Sequence, residues 1–210
     1  TILDQVCPPR TILASNTSFM DIFKFVETQR PEKVLITHWF TPPHIVPLVE
    51  VVRGPQTAQD AVDAVTTLLV QVGKKPIVLS KFLPGFIANR LQSALTNEML
   101  FLLDNGYATA ADIDEATKSS FGFRMPILGV AKKVDFAGVD QIRRSFGNGL
   151  YQPPPPRQSS ESLDRLVSQG KLGVKSGQGF FDYGGRSTAE IMRETNVKLI
   201  KLREFLKQLG

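Results

Sequence analysis

The sequence predicts an α/β part followed by an all-helical part. Three short runs rich in β-branched residues occur early, at Thr11–Ala14, Lys33–Thr37 and Leu48–Val52. Helical patterns separate strand-like runs in this part, which is typical of a sheet covered by helices. Between residues 84 and 178 no run alternates with the period of a strand. We therefore place the junction at Pro84-Gly85, with the α/β part at 1–83 and the helical part at 84–210.

The α/β part also contains two predicted helices and a fourth strand. A helix is predicted over 18–27 from apolar residues at helical spacing, namely Phe19, Ile22, Phe23 and Val26. A second helix is predicted from Thr57 to Val72, where Gly73 ends it. Pro76–Leu79 then has the apolar pattern of a buried strand.

The helical part is predicted to begin with one long helix that extends to Asn105. Gly106 ends it, since glycine readily takes the left-handed conformation that follows a helix. Further helices are predicted at 109–118, at 125–146 as one or two helices, at 162–169 and at 188–209. Pro153–Pro156 is a stiff polyproline spacer within this part.

Composition excludes several classes of protein. With 42% hydrophobic and 21% charged residues among 210, the chain is globular rather than disordered. No apolar run approaches the roughly 20 residues of a membrane-spanning helix, so we expect no membrane partner. The 25 cations and 20 anions form no basic block with interleaved aromatics, so we expect no nucleic-acid partner. The lone Cys7 is typical of a reducing compartment; we expect the cytoplasm, with peroxisome and mitochondrion left open.

Polar residues follow or interrupt the predicted strands. Ser15–Ser18 follow the first strand, where ligands bind in open α/β sheets, although the same residues would also serve as a helix cap. His38 follows the second strand, and Glu50 interrupts the third, where a carboxylate is costly unless partnered. Such a pair can orient an imidazole for general-base catalysis. The alternatives are a core histidine, and a glutamate on an edge strand that faces water.

Three further features have weaker signals. Asn89 lies among apolar neighbours of the long helix and faces either a ligand cleft or solvent. His44 lies in a loop and is interpreted as structural or exposed. The glycine-rich stretch 170–183 neither follows a strand nor opens a helix, so it fails as a phosphate loop. Its glycines are expected to shape a tight loop that brings Lys175 to another surface.

The α/β part is small for a parallel sheet, which usually has more strands and both faces covered. It also has no glycine-rich strand–loop–helix phosphate site. We therefore expect it to be the second half of a doubly wound sheet, with an exposed edge or apolar face. We also expect the chain to be a fragment of a longer protein.

Six motifs cover nearly the whole chain in order. They are Ala14–Ser18, His38–Pro43, Pro47–Val52, Pro84–Leu91, Asp112–Asp114 and Gly177–Tyr183. Together they resemble the 3-hydroxyacyl-CoA dehydrogenases. The resemblance implies the C-terminal part of a Rossmann-type dinucleotide-binding domain, followed by a helical domain like that of 6-phosphogluconate dehydrogenase. It also implies NAD as cofactor, a small acyl substrate of fatty acid metabolism, and a homodimer built through the helical domain.

The resemblance further implies a role for individual residues. His38 would be the general base that takes the hydroxyl proton while hydride leaves C3 of a 3-hydroxyacyl-CoA for NAD. Glu50 would orient His38 and stabilise its cation. Ser18 and Asn89 would bind the reacting oxygens of the substrate. The cofactor-binding residues would be Ser18, Thr41 and Lys175.

The chain departs from the family pattern at several positions. Thr41 stands where the family usually has Asn, Phe19 where a second Ser is common, and Arg124–Pro126 where it has Met-Gly-Pro. These departures concern the acyl-CoA substrate more than the hydride chemistry. The alternatives are a dehydrogenase of a non-CoA hydroxy acid or ketone, and a truncated, non-redox protein that binds a small molecule or only dimerises.

Overall fold

The computed structural model describes residues 2–209, and the chain divides into two compact units, Thr1–Gln92 and Ser93–Gly210. The first unit is built on a sheet of four strands: β1 (Leu13–Ser15), β2 (Val34–Trp39), β3 (Leu48–Arg53) and β4 (Lys75–Leu79). Its helices are α1 (Ile2–Val6) and α2 (Gln59–Gln71). The four predicted strands are thus present, within one or two residues of their expected bounds.

The strands lie in the order β1-β2-β3-β4, and the sheet is mixed. β1 pairs with β2, and β3 with β4, in parallel, whereas β2 and β3 are antiparallel. Only residues 40–47 connect β2 to β3, which is too short for the crossover that a parallel pair needs. This one antiparallel pairing aligns the two strands that carry the candidate site.

Alternation along β2 and β3 builds a core on each face of the sheet. One face packs against α2 through the buried residues Leu35, Val49, Val51, Ala61, Val62 and Leu69. The other face has a second cluster, Ile36, Val52 and Phe86, joined by the partly buried Ile22, Phe23, Leu79 and Phe82. β3 is therefore buried on both faces.

The helix predicted over 18–27 is wrong. The segment contains only a 3-10 turn at Ile22–Lys24. Ile22 and Phe23 both pack on the second core cluster from this turn, so tertiary packing overrides the helical spacing of the apolar residues. Asn16 does not cap a helix; its side-chain Oδ1 accepts a hydrogen bond from the last backbone N–H of β2 at 2.9 Å. Polar side chains that bind backbone groups in this way compete with helix formation.

The remaining helices are close to the sequence prediction. They are α3 (Ala88–Asp104), α4 (Ala110–Ser119), α5 (Phe121–Ala137), α6 (Val139–Gly147), α7 (Glu161–Ser168) and α8 (Thr188–Gln208). α5 is broken at Gly129, where φ is 67° and ψ is −175°. α4 and α8 each begin with a capping box, in which Thr109 and Ser187 exchange hydrogen bonds with the residue three positions on.

The polyproline segment is fastened to α3 in the second unit. The Asn97 side chain donates to the carbonyls of Pro154 and Pro155, at 3.1 and 3.2 Å. Its Oδ1 in turn accepts the Arg157 backbone N–H at 3.2 Å. One amide side chain thus binds two carbonyls of the polyproline segment and the first backbone N–H after it, in a conformation that forms no internal hydrogen bonds.

Asp104, the last residue of α3, fastens the start of α7. Its Oδ1 accepts from Ser160 Oγ at 3.1 Å and from the Ser162 backbone N–H at 3.0 Å, and its Oδ2 pairs with Arg157. The Asp104 side chain is only 7% exposed. Burial raises the pKa of this carboxyl, but the hydrogen bonds from Ser162, Ser160 and Arg157 outweigh it and lower the pKa from 3.8 to about 2.

Candidate active site

The centre of the candidate site is a cross-strand pair of His38 and Glu50. The antiparallel register places His38 of β2 directly opposite Glu50 of β3, so both side chains lie on the same face of the sheet. The distance from His38 Nδ1 to Glu50 Oε2 is 2.8 Å. His38 is 4% exposed and Glu50 is fully buried. One expectation is corrected, since His38 lies within β2 rather than after it. The alternative of an edge strand for Glu50 is excluded, because β3 lies between β2 and β4.

The second oxygen of Glu50 binds the start of α3. Oε1 accepts from the backbone N–H groups of Ile87 and Ala88, at 2.9 and 3.0 Å. The first N–H groups of a helix have no acceptor within the helix, so Glu50 satisfies two of them. The positive end of the helix dipole also stabilises a carboxylate at this position. Both oxygens of a fully buried Glu50 therefore have partners.

Ser18 completes a hydrogen-bonded series with the pair. Ser18 Oγ lies 2.9 Å from His38 Nε2. A carboxylate only accepts hydrogen bonds, so the Glu50 contact places the imidazole proton on Nδ1. Nε2 is then the basic nitrogen, and the Ser18 hydroxyl donates to it. This is the tautomer in which His38 can take a proton from a ligand hydroxyl.

Aromatic rings enclose the imidazole. Phe40 lies edge-on to His38 with ring centroids 4.6 Å apart, and Phe86 is tilted at 5.1 Å. Phe82 in turn contacts Phe86 at 5.7 Å. Apolar walls exclude water from the pair and strengthen its hydrogen bonds.

The other predicted site residues make no described hydrogen bond to Ser18, His38 or Glu50. Asn89 is half-buried in the first turn of α3, directly after the Ala88 amide that binds Glu50. Thr41 is exposed in the loop after β2, and His44, in the same loop, is exposed as expected. Lys175 is exposed on a 3-10 turn of the second unit. Ser18, His38 and Glu50 are thus brought together, while the roles of Asn89, Thr41 and Lys175 stay predictions.

Two family models match the chain in succession. The 3-hydroxyacyl-CoA dehydrogenase NAD binding domain matches residues 1–82, and the 3-hydroxyacyl-CoA dehydrogenase C-terminal domain matches residues 85–183. The 5-formyl-3-hydroxy-2-methylpyridine 4-carboxylate 5-dehydrogenase of Mesorhizobium japonicum is 32% identical over 207 residues, covering 98% of this chain and 67% of the relative. The chain belongs to the 3-hydroxyacyl-CoA dehydrogenase family.

Other members of this family are similarly related. A probable 3-hydroxybutyryl-CoA dehydrogenase of Bacillus subtilis is 36% identical over 189 residues, covering 86% of this chain and 62% of the relative. A solved structure of the pyridine-carboxylate enzyme, described as an NAD+ dependent dismutase, matches with a TM-score of 0.88 and 31% identity, covering 98% of this chain and 67% of that one. The chain spans about two thirds of the length of these relatives.

Membership of the 3-hydroxyacyl-CoA dehydrogenase family confirms the predicted fold class. The chain contains a Rossmann-like sheet with helices, followed by a helical C-terminal domain. The cofactor of the family is NAD, which confirms that prediction, and its members are oxidoreductases.

The described residues fit one side of an NAD site. Ser18 and Thr41 follow the carboxyl ends of β1 and β2, which is where Rossmann-type sheets hold their ligands. Across residues 2–209 no G-x-G-x-x-G run joins a strand to a helix, so these residues do not include a pyrophosphate loop of that type. Ser18 and Thr41 therefore lie where a Rossmann-type sheet can bind part of its cofactor.

The described residues include neither a metal-binding cluster nor a membrane-spanning helix. No group of three or more His, Cys, Asp or Glu side chains is placed to hold a metal ion in residues 2–209. Within the same range, no helix has both the length and the apolarity to cross a membrane.

Sequence reasoning missed the aromatic enclosure and the two amides on Glu50. Phe40 and Phe86 were indistinguishable from core residues, since aromatics in a strand end or a helix start usually pack in a core. The sequence did contain one signal for the amides: Pro84-Gly85 predicts a turn, and the first backbone N–H groups of the long helix follow it. Pro84 and Gly85 do not show, however, that this helix start lies next to Glu50.

Proposed function

We propose that the protein interconverts a 3-hydroxyacyl group and its 3-keto form with NAD(H), using His38 as general base and Glu50 as the carboxylate that orients it. The observation that supports this best is the series Ser18–His38–Glu50, with distances of 2.9 and 2.8 Å. A histidine that serves only the core has no need of a fully buried carboxylate on Nδ1 and a hydroxyl on Nε2.

A bound NAD would supply a hydride acceptor for the carbon that carries the substrate hydroxyl. His38 Nε2 takes the proton of that hydroxyl, which leaves the carbonyl. Glu50 stabilises the resulting imidazolium through the Nδ1–H bond, and the Ile87 and Ala88 amides hold Glu50 in place. Ser18 offers the hydroxyl oxygen a partner beside Nε2, and we propose that Asn89 offers a second. Thr41 and Lys175 are proposed to contact the cofactor.

The substrate has two candidate classes. A 3-hydroxyacyl-CoA is the first, because the matched family models and the Bacillus subtilis relative are named for CoA thioesters. A compact, non-CoA hydroxy compound is the second, because the pyridine-carboxylate enzyme matches this fold with a TM-score of 0.88. Turnover of 3-hydroxybutyryl-CoA compared with free 3-hydroxybutyrate and hydroxylated pyridine carboxylates separates the two classes.

We also propose that the boundary between the α/β part and the helical part lies at Pro84-Gly85. We further propose that the protein is a homodimer built through the helical part. The dimer is supported by apolar side chains that α3 leaves exposed, including Leu91 at 50% and Leu95 at 42%. Burying such residues against a second copy removes them from water.

The decisive experiment is the variant His38→Ala in the enzyme produced from its gene. We expect kcat to fall by about 10² to 10⁴, because a positioned base contributes that much to proton transfer. Affinity for NADH, followed by fluorescence titration, is expected to stay within about threefold, and His44→Ala is the matched control because His44 is exposed. Unchanged turnover in His38→Ala would remove His38 as the base.

A further inference from the structure

Phe86 has an unusual backbone conformation for a buried aromatic residue. Its φ is +49°, directly after Gly85 with φ of +78°. Within residues 2–209, Phe86 is the only residue other than glycine with a positive φ. Side chains with a Cβ are strained in this region, and glycine or asparagine would adopt it at lower cost. Strain of this kind persists only where the surrounding structure enforces it, and it concentrates at functional sites.

The ring of Phe86 forms one wall of the His38 site. Phe86 is fully buried, and its ring lies 5.1 Å from the imidazole, at an interplanar angle of 60°. Phe82 supports it from behind, 5.7 Å away and perpendicular. The imidazole therefore contacts the rings of both Phe86 and Phe40. Close packing against these two rings restricts rotation of the imidazole.

The backbone around Phe86 connects the other two members of the series. The Gly85 N–H donates to the Ser18 carbonyl at 3.1 Å, which fixes the loop that carries the Ser18 hydroxyl. The next two N–H groups after Phe86, those of Ile87 and Ala88, donate to Glu50. One left-handed turn thus holds Ser18 on one side and directs the helix start at Glu50 on the other.

We propose that Phe86 is a positioning residue that sets the geometry of Ser18, His38 and Glu50 together. Its ring fixes the imidazole, and its left-handed backbone aims the amides that hold the carboxylate. Because Phe86 is fully buried and its ring contacts the imidazole, it acts through His38 and Glu50. The expected effect of Phe86 on kcat rests on the proposed function, whereas its effect on the geometry of Ser18, His38 and Glu50 does not.

The kinetic test compares Phe86→Leu with Phe82→Leu. Both changes remove a ring from the same core cluster, but only Phe86 contacts His38. In Phe86→Leu we expect kcat to fall by about 10- to 100-fold with KM within about threefold, since small misplacements of catalytic groups have effects of this size. In Phe82→Leu we expect kcat within about twofold, although this change also lowers the thermal stability. Equal losses of kcat in the two variants would overturn the proposal.

A spectroscopic test does not depend on turnover. The chain has two histidines, so imidazole resonances are assigned by comparison with His44→Gln. The Nδ1 proton of His38, shared with Glu50, should be protected from water and visible by NMR in the unchanged protein and in Phe82→Leu. In Phe86→Leu it should be lost to exchange with water. A protected proton in folded Phe86→Leu would overturn the proposal.

The kinetic and the NMR measurements together distinguish failure of the positioning role from failure of the proposed function. If Phe86→Leu exposes the Nδ1 proton while the unchanged enzyme transfers no hydride, the positioning role stands and the proposed function falls. If the unchanged enzyme is active but the Nδ1 proton stays protected in Phe86→Leu, the proposed function stands and the positioning role falls. Should Phe86→Leu fail to fold, Phe86→Met keeps the apolar volume without the ring and is expected to show the same exchange. A protected proton in Phe86→Met would then overturn the proposal.

Discussion

Glu50 shows how one residue can be both buried and charged in this protein. A buried carboxylate without partners would be strongly destabilising. Here the cross-strand imidazole binds one oxygen, and two amides at the start of α3 bind the other. Because the amides can only donate, they require an acceptor at Oε1 and leave Oε2 for His38. The orientation of His38 thus depends on the charge state and the geometry of Glu50.

Glu50→Gln tests this dependence with almost no change of shape. The new amide would keep its oxygen on Ile87 and Ala88 and turn its NH₂ group to His38 Nδ1. The imidazole would then carry its proton on Nε2, which is the wrong tautomer for a base. We expect kcat to fall by about 10² to 10⁴ in steady-state assays.

The control for Glu50→Gln is Glu27→Gln, since Glu27 is exposed and has no place in the site. Circular dichroism should show the same fold in both variants. Full activity of Glu50→Gln would mean that the carboxylate does not set the tautomer of His38.

At the scale of elements, the sequence predicted the positions of the strands better than the way in which the strands pair and contact the helices. Leu48–Val52 was recognisable as a strand because its residues are apolar and β-branched, and β3 ends only one residue later. The pairing of His38 with Glu50 required the antiparallel register, which follows from the short connection over 40–47. The amide bonds to Glu50 could not be predicted, because they join groups 37 and 38 residues apart and depend on where α3 begins.

The failed helix over 18–27 has a different cause. Its apolar residues do recur at helical spacing, but tertiary packing overrides that pattern. Phe23 lies against Gly54, where a Cβ would come within 2.3 Å of its ring. A close approach of this kind is decided by a residue far away in the sequence, so local spacing does not reveal it.

Asp104, which joins α3 to α7, should make the stability of the fold depend on pH in the acid range. The folded pKa of Asp104, about 2, lies below its usual 3.8. A depressed folded pKa contributes stability that is present above pH 3.8 and is lost as the pH falls towards 2. We expect the free energy of unfolding, measured by urea titration, to show this loss in the unchanged protein. Asp104→Asn cannot ionise and should flatten the curve between pH 4 and 2.

Asp104→Asn should also weaken the fold at neutral pH, by about 1–3 kcal/mol, because a charged acceptor for Arg157 and two further donors is replaced by a neutral one. Asp114→Asn is the matched control, since Asp114 is on a helix surface and its side chain is 48% exposed. If the two variants follow the same pH profile, Asp104 does not fasten α7.

The two units of the whole molecule differ in how many apolar side chains they bury, although each exposes some large ones. The first has two clusters of fully buried residues around its sheet. In the second, large apolar residues stay open to solvent, among them Phe123 at 79%, Phe136 at 72% and Phe146 at 87%. A protein that works as a single copy rarely leaves such surfaces uncovered. The proposed homodimer would bury part of this apolar surface against a second copy.

Leu95→Glu tests the dimer at this scale. Leu95 lies on the exposed surface of α3, so a charge there should leave the fold intact but oppose burial against a second copy. Sedimentation should give twice the chain mass for the unchanged protein and for the control Ser93→Glu, a polar and exposed position on the same helix. It should give about half that mass for Leu95→Glu at the same concentration, because one buried charge per subunit removes several kcal/mol of association energy. The far-ultraviolet circular dichroism should match in all three, which separates dissociation from unfolding. A dimer unchanged by Leu95→Glu would place the interface on another surface, and a monomeric unchanged protein would exclude the dimer.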